Sequence, residues 1–587
     1  MKTHIQFKYI TDSQIEEKLD YKFENPVVIK YARTIEEVSD LVHEAERYQK
    51  EGYYVVMTLP YESAAAFDSA LNVYKASHHY GSIQVFEQPV SHFNNKTYHT
   101  YINEHIEWRR TDSDERLANN ILAIQDEIRV GNTYQVNYTT QLESEPIRHG
   151  YAYYQSLTED ANGDYQAYIE LEDETIMSIS PELFFQYGPY QQRPNTILTK
   201  PMKGTISRGN HKAGNHKAED QTNYEQLKHS KKDRAENVMI VDLLRNDLSK
   251  ISEVGTVNAI DLFKIEPYQT VYQMTSTIRS QLKAQHSLFN LIQALFPCGS
   301  ITGAPKESTM AIIKRLENRP RGIYCGAIGL LLPDNRMIFN VPIRTIHSNS
   351  ERAVYGVGAG ITIDSNAEAE IEEFKMKSKI LESRHVNLIE TMRLENGIVQ
   401  RRHEHTHRIS TSAEALNIQF NKDKWDIMLN DMVNHYVDGT YKLRVELNSD
   451  GTFNVEASPI TDSSQSLTAQ LLPSTPVSSI YTIHKTTERQ HFQHNHDTDV
   501  ILYYNEENEI TEFDIGNVVI KIGDAYITPP YHGQFLNGCM RQALLKDNLI
   551  EEKNITVKKL INDIESLNCE IYMINSLREW TKIDLKL

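Results

Sequence analysis

The spacing of apolar residues changes several times along this chain. Residues 35–48 carry them at helical period, whereas 53–59 (YYVVMTL) form a short continuous run that predicts a strand. Helical period returns over 116–130 and stops at Gly131-Asn132, and the following TYQVNYTTQL reads as a strand. Alternation over 164–171 and 183–187 predicts two more. The polar, Gly-rich stretch 204–224, with its tandem GNHKA-GNHKA, is expected to be a surface loop, and 226–249 a long amphipathic helix. Another helix is expected from Asp364, with Ser365 and Glu368 as a capping box and Ile371, Phe374 and Ile380 as its apolar stripe. After Arg384 the pattern resets, and LIETMRLENGIVQRR reads as strand, turn, strand. A Ser/Pro/Thr-rich link over about 461–479 divides the last third into two lobes.

Length adds that several domains are needed, since 587 residues exceed what a single growing core supports. The pattern divides them at 1–95, 96–385 and 386–587. A net charge of −19 argues against nucleic acid or an anionic membrane as the main partner, but not against a small anionic substrate. The opening MKTHIQFKYITDSQ lacks the apolar core of a signal peptide, and no apolar run approaches the roughly 20 residues of a membrane helix. The four cysteines show no CxxC spacing, and a cytoplasmic location is expected.

Candidate chemistry begins with acids. Asp233 and Glu236 lie three apart on one predicted helix, and Glu370 and Glu373 repeat the spacing on another, with Lys377 one turn on. Two such pairs could hold a hard cation such as Mg²⁺, although either pair alone reads as a solvated helix face. TKPMKGT sets Lys203 in a turn, while FPCGSITGAPK (Gly299, Gly303) and YGVGAGI (Gly356, Gly358, Gly360) are glycine turns that could present N–H groups to an anion. A tight strand–helix turn is the plainer reading of each glycine group taken singly.

In order, SPELFF, KPMKGT, DRAENVMIVDLLRNDL, FPCGSITGAPK, RGIYCGAIGLL, FNVPIRT and VGAGIT…EAEIEEFKMK resemble the chorismate-utilising enzymes, the family of anthranilate synthase component I and aminodeoxychorismate synthase component I. The resemblance covers about 110–385. It implies Mg²⁺ on Glu236 and Glu373, with Asp233 and Glu370 adjoining, and a chorismate carboxylate on Arg344. Tyr324, Thr302, Lys377 and the backbone of Gly358 and Gly360 match other substrate contacts, and Glu182 matches an acid near the leaving C4 hydroxyl. Gln135 stands where water-using relatives have a lysine, which disfavours water as nucleophile. Lys203 selects the aminodeoxychorismate branch, whose motif reads P-I-K-G-T where anthranilate synthases read P-I-A-G-T. The implied reaction is covalent: Lys203 adds at C2 as the C4 hydroxyl leaves, then ammonia attacks C4 and expels the lysine. Gln273, at a position commonly histidine, and Cys298, at a common glycine, depart from the pattern. No cysteine sits in a Gly-x-Cys-x-Gly turn, so ammonia is expected from a separate glutamine amidotransferase subunit, as the resemblance implies, or from free ammonia.

In the last third, HEHTHRISTSAEAL, HKTTERQHF, ITEFDIGNVVI and FLNGCMR resemble the class IV aminotransferases, and among them 4-amino-4-deoxychorismate lyase. The resemblance implies pyridoxal phosphate, with Lys485 as its Schiff-base lysine and proton shuttle. Glu512 matches the partner of the pyridine nitrogen, and Arg408 a phosphate-binding arginine. Gly538 with the amides of Cys539 and Met540 matches the phosphate turn, and Asn517 a neighbouring asparagine. Met540 replaces the usual threonine, removing a hydroxyl from that turn. The implied fold class is α+β: an N-terminal chorismate-binding α/β sandwich of the anthranilate synthase component I type, then a two-lobed fold type IV domain through which a homodimer could form. The implied outcome is 4-aminobenzoate, the two half-reactions being consecutive. Anthranilate synthase component I fused to a class IV aminotransferase is the alternative.

Overall fold

The computed structural model describes all residues except 13–14, 94–105, 159–162, 209–215, 269–270, 285, 382–385, 417, 461–465, 475–481, 488, 490–491, 493–496, 567–568 and 587. Its residues fall into two units, Met1–Asn95 with His105–Glu382, and a second built on Ser383–Leu587. In the first, alternation along the strands makes two antiparallel sheets, of nine and ten strands, each apolar on both faces. Ile5, Phe7 and Tyr9 of the nine-stranded sheet meet Val56, Ile328, Leu330 and Ile338 of the other in a core between the sheets. Outside, Leu117, Ile121, Ile371 and Phe374 from helices cover Tyr138, Tyr355 and Val357. Val38, Leu41, Ile240, Leu244 and Leu291 do the same for Val55, Met57 and Phe184. Each fully buried side chain of this size contributes about 1.5–3 kcal/mol, so both faces of both sheets are strongly fixed. The result is a helix–sheet–sheet–helix sandwich, to which Lys2–Asp12 and Ile15–Glu24 supply an edge of one sheet and Val28–Ala32, Tyr54–Leu59 and Gly81–Phe86 an edge of the other.

Several sequence expectations shift here. The helix expected over 226–249 is two, His216–His229 and Lys231–Ser249, because Ser230 leaves helical geometry and its hydroxyl caps the second by accepting the Asp233 N–H. The loop expected over 204–224 is therefore strand to Ser207 and helix from His216, and the first GNHKA copy lies outside the described residues. The predicted capping box does not form. Asn366 caps the helix Ala367–Ser378 by accepting the Ala369 N–H, which turns Ser365 back to donate to Glu370.

In the second unit, Leu388–Glu395, Ile398–Val399, Thr440–Leu447 and Phe453–Pro459 make a four-stranded sheet. The expected turn carries Asn396 and Gly397, both at positive φ (47° and 75°), as a tight hairpin favours. Helices Arg402–Ala415 and Lys422–His435 bury Ile409, Ala413, Trp425 and Leu429 on this sheet. An eight-stranded mixed sheet follows, closed on itself because Ile510–Phe513 pairs with both Val500–Tyr504 and Gly516–Ile522. The parts of the 461–479 link at 461–465 and 475–479 lie outside the described residues. Leu467–Pro473, between them, is already a strand of the second sheet. No helix among the described residues is long and apolar enough to cross a membrane.

Candidate active sites

Strand pleating lays a glycine stripe on the inner face of the nine-stranded sheet. In Ala353–Ile361, Tyr355, Val357 and Ala359 join the core under the helices, so Gly356, Gly358 and Gly360 face the space between the sheets. None has room for a side chain: a Cβ on Gly356 would lie 2.3 Å from the Tyr324 ring, and one on Gly360 2.2 Å from Gln135 Nε2 and 2.8 Å from Lys203 Nζ. Lys203 enters from the opposite sheet. Its strand, Met202–Ser207, pairs with Val271–Gln281 through an irregularity between Met202 and Thr205. There Gly204 has φ 91°, and a Cβ on it would meet Asp233 Cβ at 2.9 Å. Glycine thus lets the strand rest on helix Lys231–Ser249, with Lys203 Nζ 3.9 Å from Glu236 Oε2.

Glu182 follows the strand Glu174–Ser180 and is 3% exposed. Burial pushes its carboxyl up to about 7, against the opposing pull of the Ser300 hydroxyl, Lys203 and Lys377. Its Oε1 has no hydrogen-bond partner, so a buried, protonatable oxygen is left for something else to meet. Lys377 Nζ donates to the Gly358 carbonyl at 2.8 Å and pairs with Glu373 at 2.7 Å. Burial raises the Glu370 carboxyl, and Glu373 and Glu236 raise it further against the Ser365 hydroxyl. On Glu373 burial is outweighed by Lys377 and Lys203, and its carboxyl lies below the ordinary value. Carboxylates on two helices thus repel one another across this cleft, which is the charge arrangement a divalent cation relieves; the fit to Mg²⁺ is good. Thr302 is fully buried, and its hydroxyl donates to the Cys298 carbonyl within its own turn. Arg344 takes left-handed backbone (φ 50°), its carbonyl accepting the Ile179 N–H, and burial presses its guanidinium pKa down.

The second constellation surrounds Lys485. The Lys485 carbonyl accepts the Ile389 N–H, and Thr486 bridges to Leu388, which pins this segment to the first strand of the four-stranded sheet. Burial, aided by the neighbouring Arg408 charge, drops the Lys485 amine to about 7. Glu390, 1% exposed, accepts from Arg408 Nε (2.8 Å) and Nη2 (2.6 Å) and from His405 Nδ1 (2.5 Å). Despite its burial, the Arg408 and His405 charges hold the Glu390 carboxyl down at about 2. Cys539 Sγ lies 3.6 Å from His405 Nδ1. Glu512 pairs across strands with Asn517, whose Oδ1 accepts the Gly538 N–H at 3.1 Å. A Cβ on Gly538 would strike that oxygen at 2.3 Å, so only glycine fits. Burial lifts the Glu512 carboxyl to about 8, opposed by the Leu536 N–H and by Arg489. Gly538 opens the helix Cys539–Lys546 with no side-chain cap on its N–H groups. A buried amine of low basicity and an uncapped helix start suit an anionic aldehyde cofactor such as pyridoxal phosphate.

Residues 82–383, just over half of the chain, match the family model described as chorismate binding enzyme. The chain belongs to that family. Residues 387–585 match the model described as amino-transferase class IV. Among relatives of the chorismate-binding part, aminodeoxychorismate synthase component 1 of Klebsiella aerogenes is 35% identical over 275 residues, 47% of this chain and 59% of that protein. Aminodeoxychorismate synthase of Streptomyces griseus is 38% identical over 254 residues, 43% of this chain and 34% of its own length. The matched region thus spans between 28% and 59% of the length of the curated relatives. A structure from Bacillus anthracis assigned as a 2,3-dihydroxybenzoate-specific isochorismate synthase shares the fold at TM-score 0.50 and 17% identity, covering 65% of this chain and 96% of that one.

In the chorismate-binding unit the fold draws Lys203, Glu182, Glu236, Glu370, Glu373, Lys377 and the glycine stripe together. The motif glycine Gly303 serves packing instead: at φ 146°, a Cβ on it would sit 2.0 Å from the Gln135 carbonyl oxygen. Gln135 and Gln273, noted in sequence as standing where relatives carry a lysine and a histidine, are both buried: Gln135 neighbours Gly360, Gln273 is the cross-strand partner of Thr205, and each keeps an unpartnered Oε1. Arg408, assigned in sequence to phosphate, is forked on Glu390, a residue sequence reading did not single out. A signal existed: Glu390 falls on the same alternate positions as Leu388, Met392 and Leu394, all buried.

Proposed function

We propose that the chain makes 4-aminobenzoate from chorismate and ammonia in two steps, 4-amino-4-deoxychorismate forming in the first unit and losing pyruvate in the second. The observation that carries the first step is Lys203 beside Glu236, in one cleft with the buried, half-protonated Glu182. Glu182 protonates the departing C4 hydroxyl, which leaves as water while the Lys203 amine bonds to C2. Ammonia, released by a separate glutamine amidotransferase, then bonds to C4 and the C2–nitrogen bond breaks, returning Lys203. Arg344 grips a substrate carboxylate, and that contact offsets its burial. Glu236 and Glu373, with Asp233 and Glu370 adjoining, hold Mg²⁺, which when bound neutralises a ring carboxylate.

In the second unit Lys485 would anchor pyridoxal phosphate, the Gly538–Met540 amides would hold its phosphate with the Arg408 charge, itself oriented by Glu390, alongside, and Glu512 would partner its ring nitrogen. That cofactor supplies an electron sink for elimination. With an amine that titrates near neutrality, Lys485 takes a proton from the ring carbon and returns it as pyruvate departs and the ring becomes aromatic. The named activities of the curated relatives and the class IV match support this reading. Its test is product chromatography after incubating the protein with chorismate, Mg²⁺, ammonium and pyridoxal phosphate. 4-Aminobenzoate and pyruvate are expected; anthranilate would refute the branch assigned to Lys203.

A further inference from the structure

Away from the acidic cleft, the same sandwich gathers three histidines on one glutamate. Glu174 begins the strand Glu174–Ser180, and His347 lies on the adjacent Thr345–Asn349 with its side chain on the same inner face. His78 and His79 come from the segment that leads into Gly81–Phe86 of the opposite sheet. His347 Nε2 lies 2.6 Å from Glu174 Oε2, and His79 Nε2 lies 2.5 Å from Glu174 Oε1. The His78 ring stands edge-on to His347 at 5.7 Å, and ligand atoms of His78, Glu174 and His347 all lie within 4.8 Å of one another. The Glu174 side chain is 8% exposed. The cluster rims a cavity of about 400 Å³ whose wall includes Ile176, Arg319, Tyr324 and Gly356.

We propose that His78, Glu174 and His347 form a binding site for a divalent first-row transition ion of the Zn²⁺ class, joining the two sheets at the mouth of this cavity. Two imidazoles and a carboxylate suit such an ion, whereas Mg²⁺ takes oxygen ligands, so the site is chemically distinct from the acidic cleft. His79 is not a ligand: its bond to the other carboxylate oxygen orients Glu174, the outer-shell role that fixes a metal-binding carboxylate. The other such grouping among the described residues, Glu390–His405–Cys539, is already occupied by Arg408 and belongs to the Lys485 site.

The test uses the full chain loaded with pyridoxal phosphate, chelator-stripped and then held in excess Mg²⁺. Zn²⁺ is titrated by calorimetry, and unfolding is followed with and without it. One equivalent is expected to bind with a rise in Tm. His78→Ala, an exposed change that spares the fold, and His347→Asn should each lose that equivalent and the rise. Glu373→Gln and Cys539→Ser should keep both. Zn²⁺ binding that survives His78→Ala and His347→Asn, or that is lost in Glu373→Gln or Cys539→Ser, would overturn the proposal, as would absence of binding in the unaltered chain.

Discussion

Glu182 is a carboxylic acid kept half protonated near neutral pH by burial, and that burial has a cost in stability. Its folded pKa is raised from 4.5, so folding takes up a proton between about pH 4.5 and 7. Stability therefore falls as pH rises through that window, and the penalty is complete above it. Glu182→Gln should remove a penalty of roughly 3 kcal/mol. In urea unfolding it should match wild type near pH 4 and exceed it near pH 8, while amination of chorismate falls by about 10²–10⁴-fold. Equal stability at both pH values would remove the buried-acid argument. Glu390 represents the opposite case, a buried carboxylate held ionised at about 2 by Arg408 and His405. Glu390→Ala strands the Arg408 charge and should cost about 3–5 kcal/mol in urea unfolding at neutral pH. Of these two acids only Glu182 was legible in sequence, because its SPE setting belongs to an ordered motif. Glu390 required seeing that an acid occupied a core position of an alternating strand.

Elements decide where such residues arrive, and the glycines separate two kinds of constraint. At Gly360 the obstructing atoms are side-chain ends, Gln135 Nε2 and Lys203 Nζ, whereas at Gly303 the obstruction is the Gln135 backbone carbonyl and φ is 146°. Gly360→Ala should therefore fold with near-normal Tm but lose most amination activity as Lys203 is displaced. Gly303→Ala should lower Tm markedly, since neither the backbone nor the left-handed φ can yield. Scanning calorimetry beside amination rates separates the two, and a reversed pattern would contradict this reading of the stripe. In sequence both glycines belonged to apparent anion turns, and nothing local distinguished them. The distinction lies in pairing between Gln135–Ser144 and its neighbours, which spans more than 160 residues. Strong local period gave the helices Glu37–Lys50 and Asp114–Arg129 to within two residues. The break at Ser230 was missed because both flanking segments are helical in character, and a single serine cap changes no periodicity.

Across the whole molecule, one chain carries a chorismate-binding sandwich and a closed mixed sheet with its own small companion sheet. The order of motifs along the chain made the chorismate-binding family, and the class IV aminotransferase match of residues 387–585, legible in sequence. What composition and spacing could not supply was the cross-sheet histidine cluster, whose members lie at positions 78, 174 and 347 and share no motif. The proposed sequence of reactions requires that the product of the first unit be the substrate of the second. That claim is tested most directly by mixing two purified variants, Lys203→Ala and Lys485→Ala, with chorismate, ammonium, Mg²⁺ and pyridoxal phosphate. Each alone should yield no 4-aminobenzoate, with Lys485→Ala accumulating 4-amino-4-deoxychorismate, and the mixture should restore 4-aminobenzoate and pyruvate. A mixture that accumulates 4-amino-4-deoxychorismate without forming 4-aminobenzoate, or Lys203→Ala alone that still makes 4-aminobenzoate, would contradict the account.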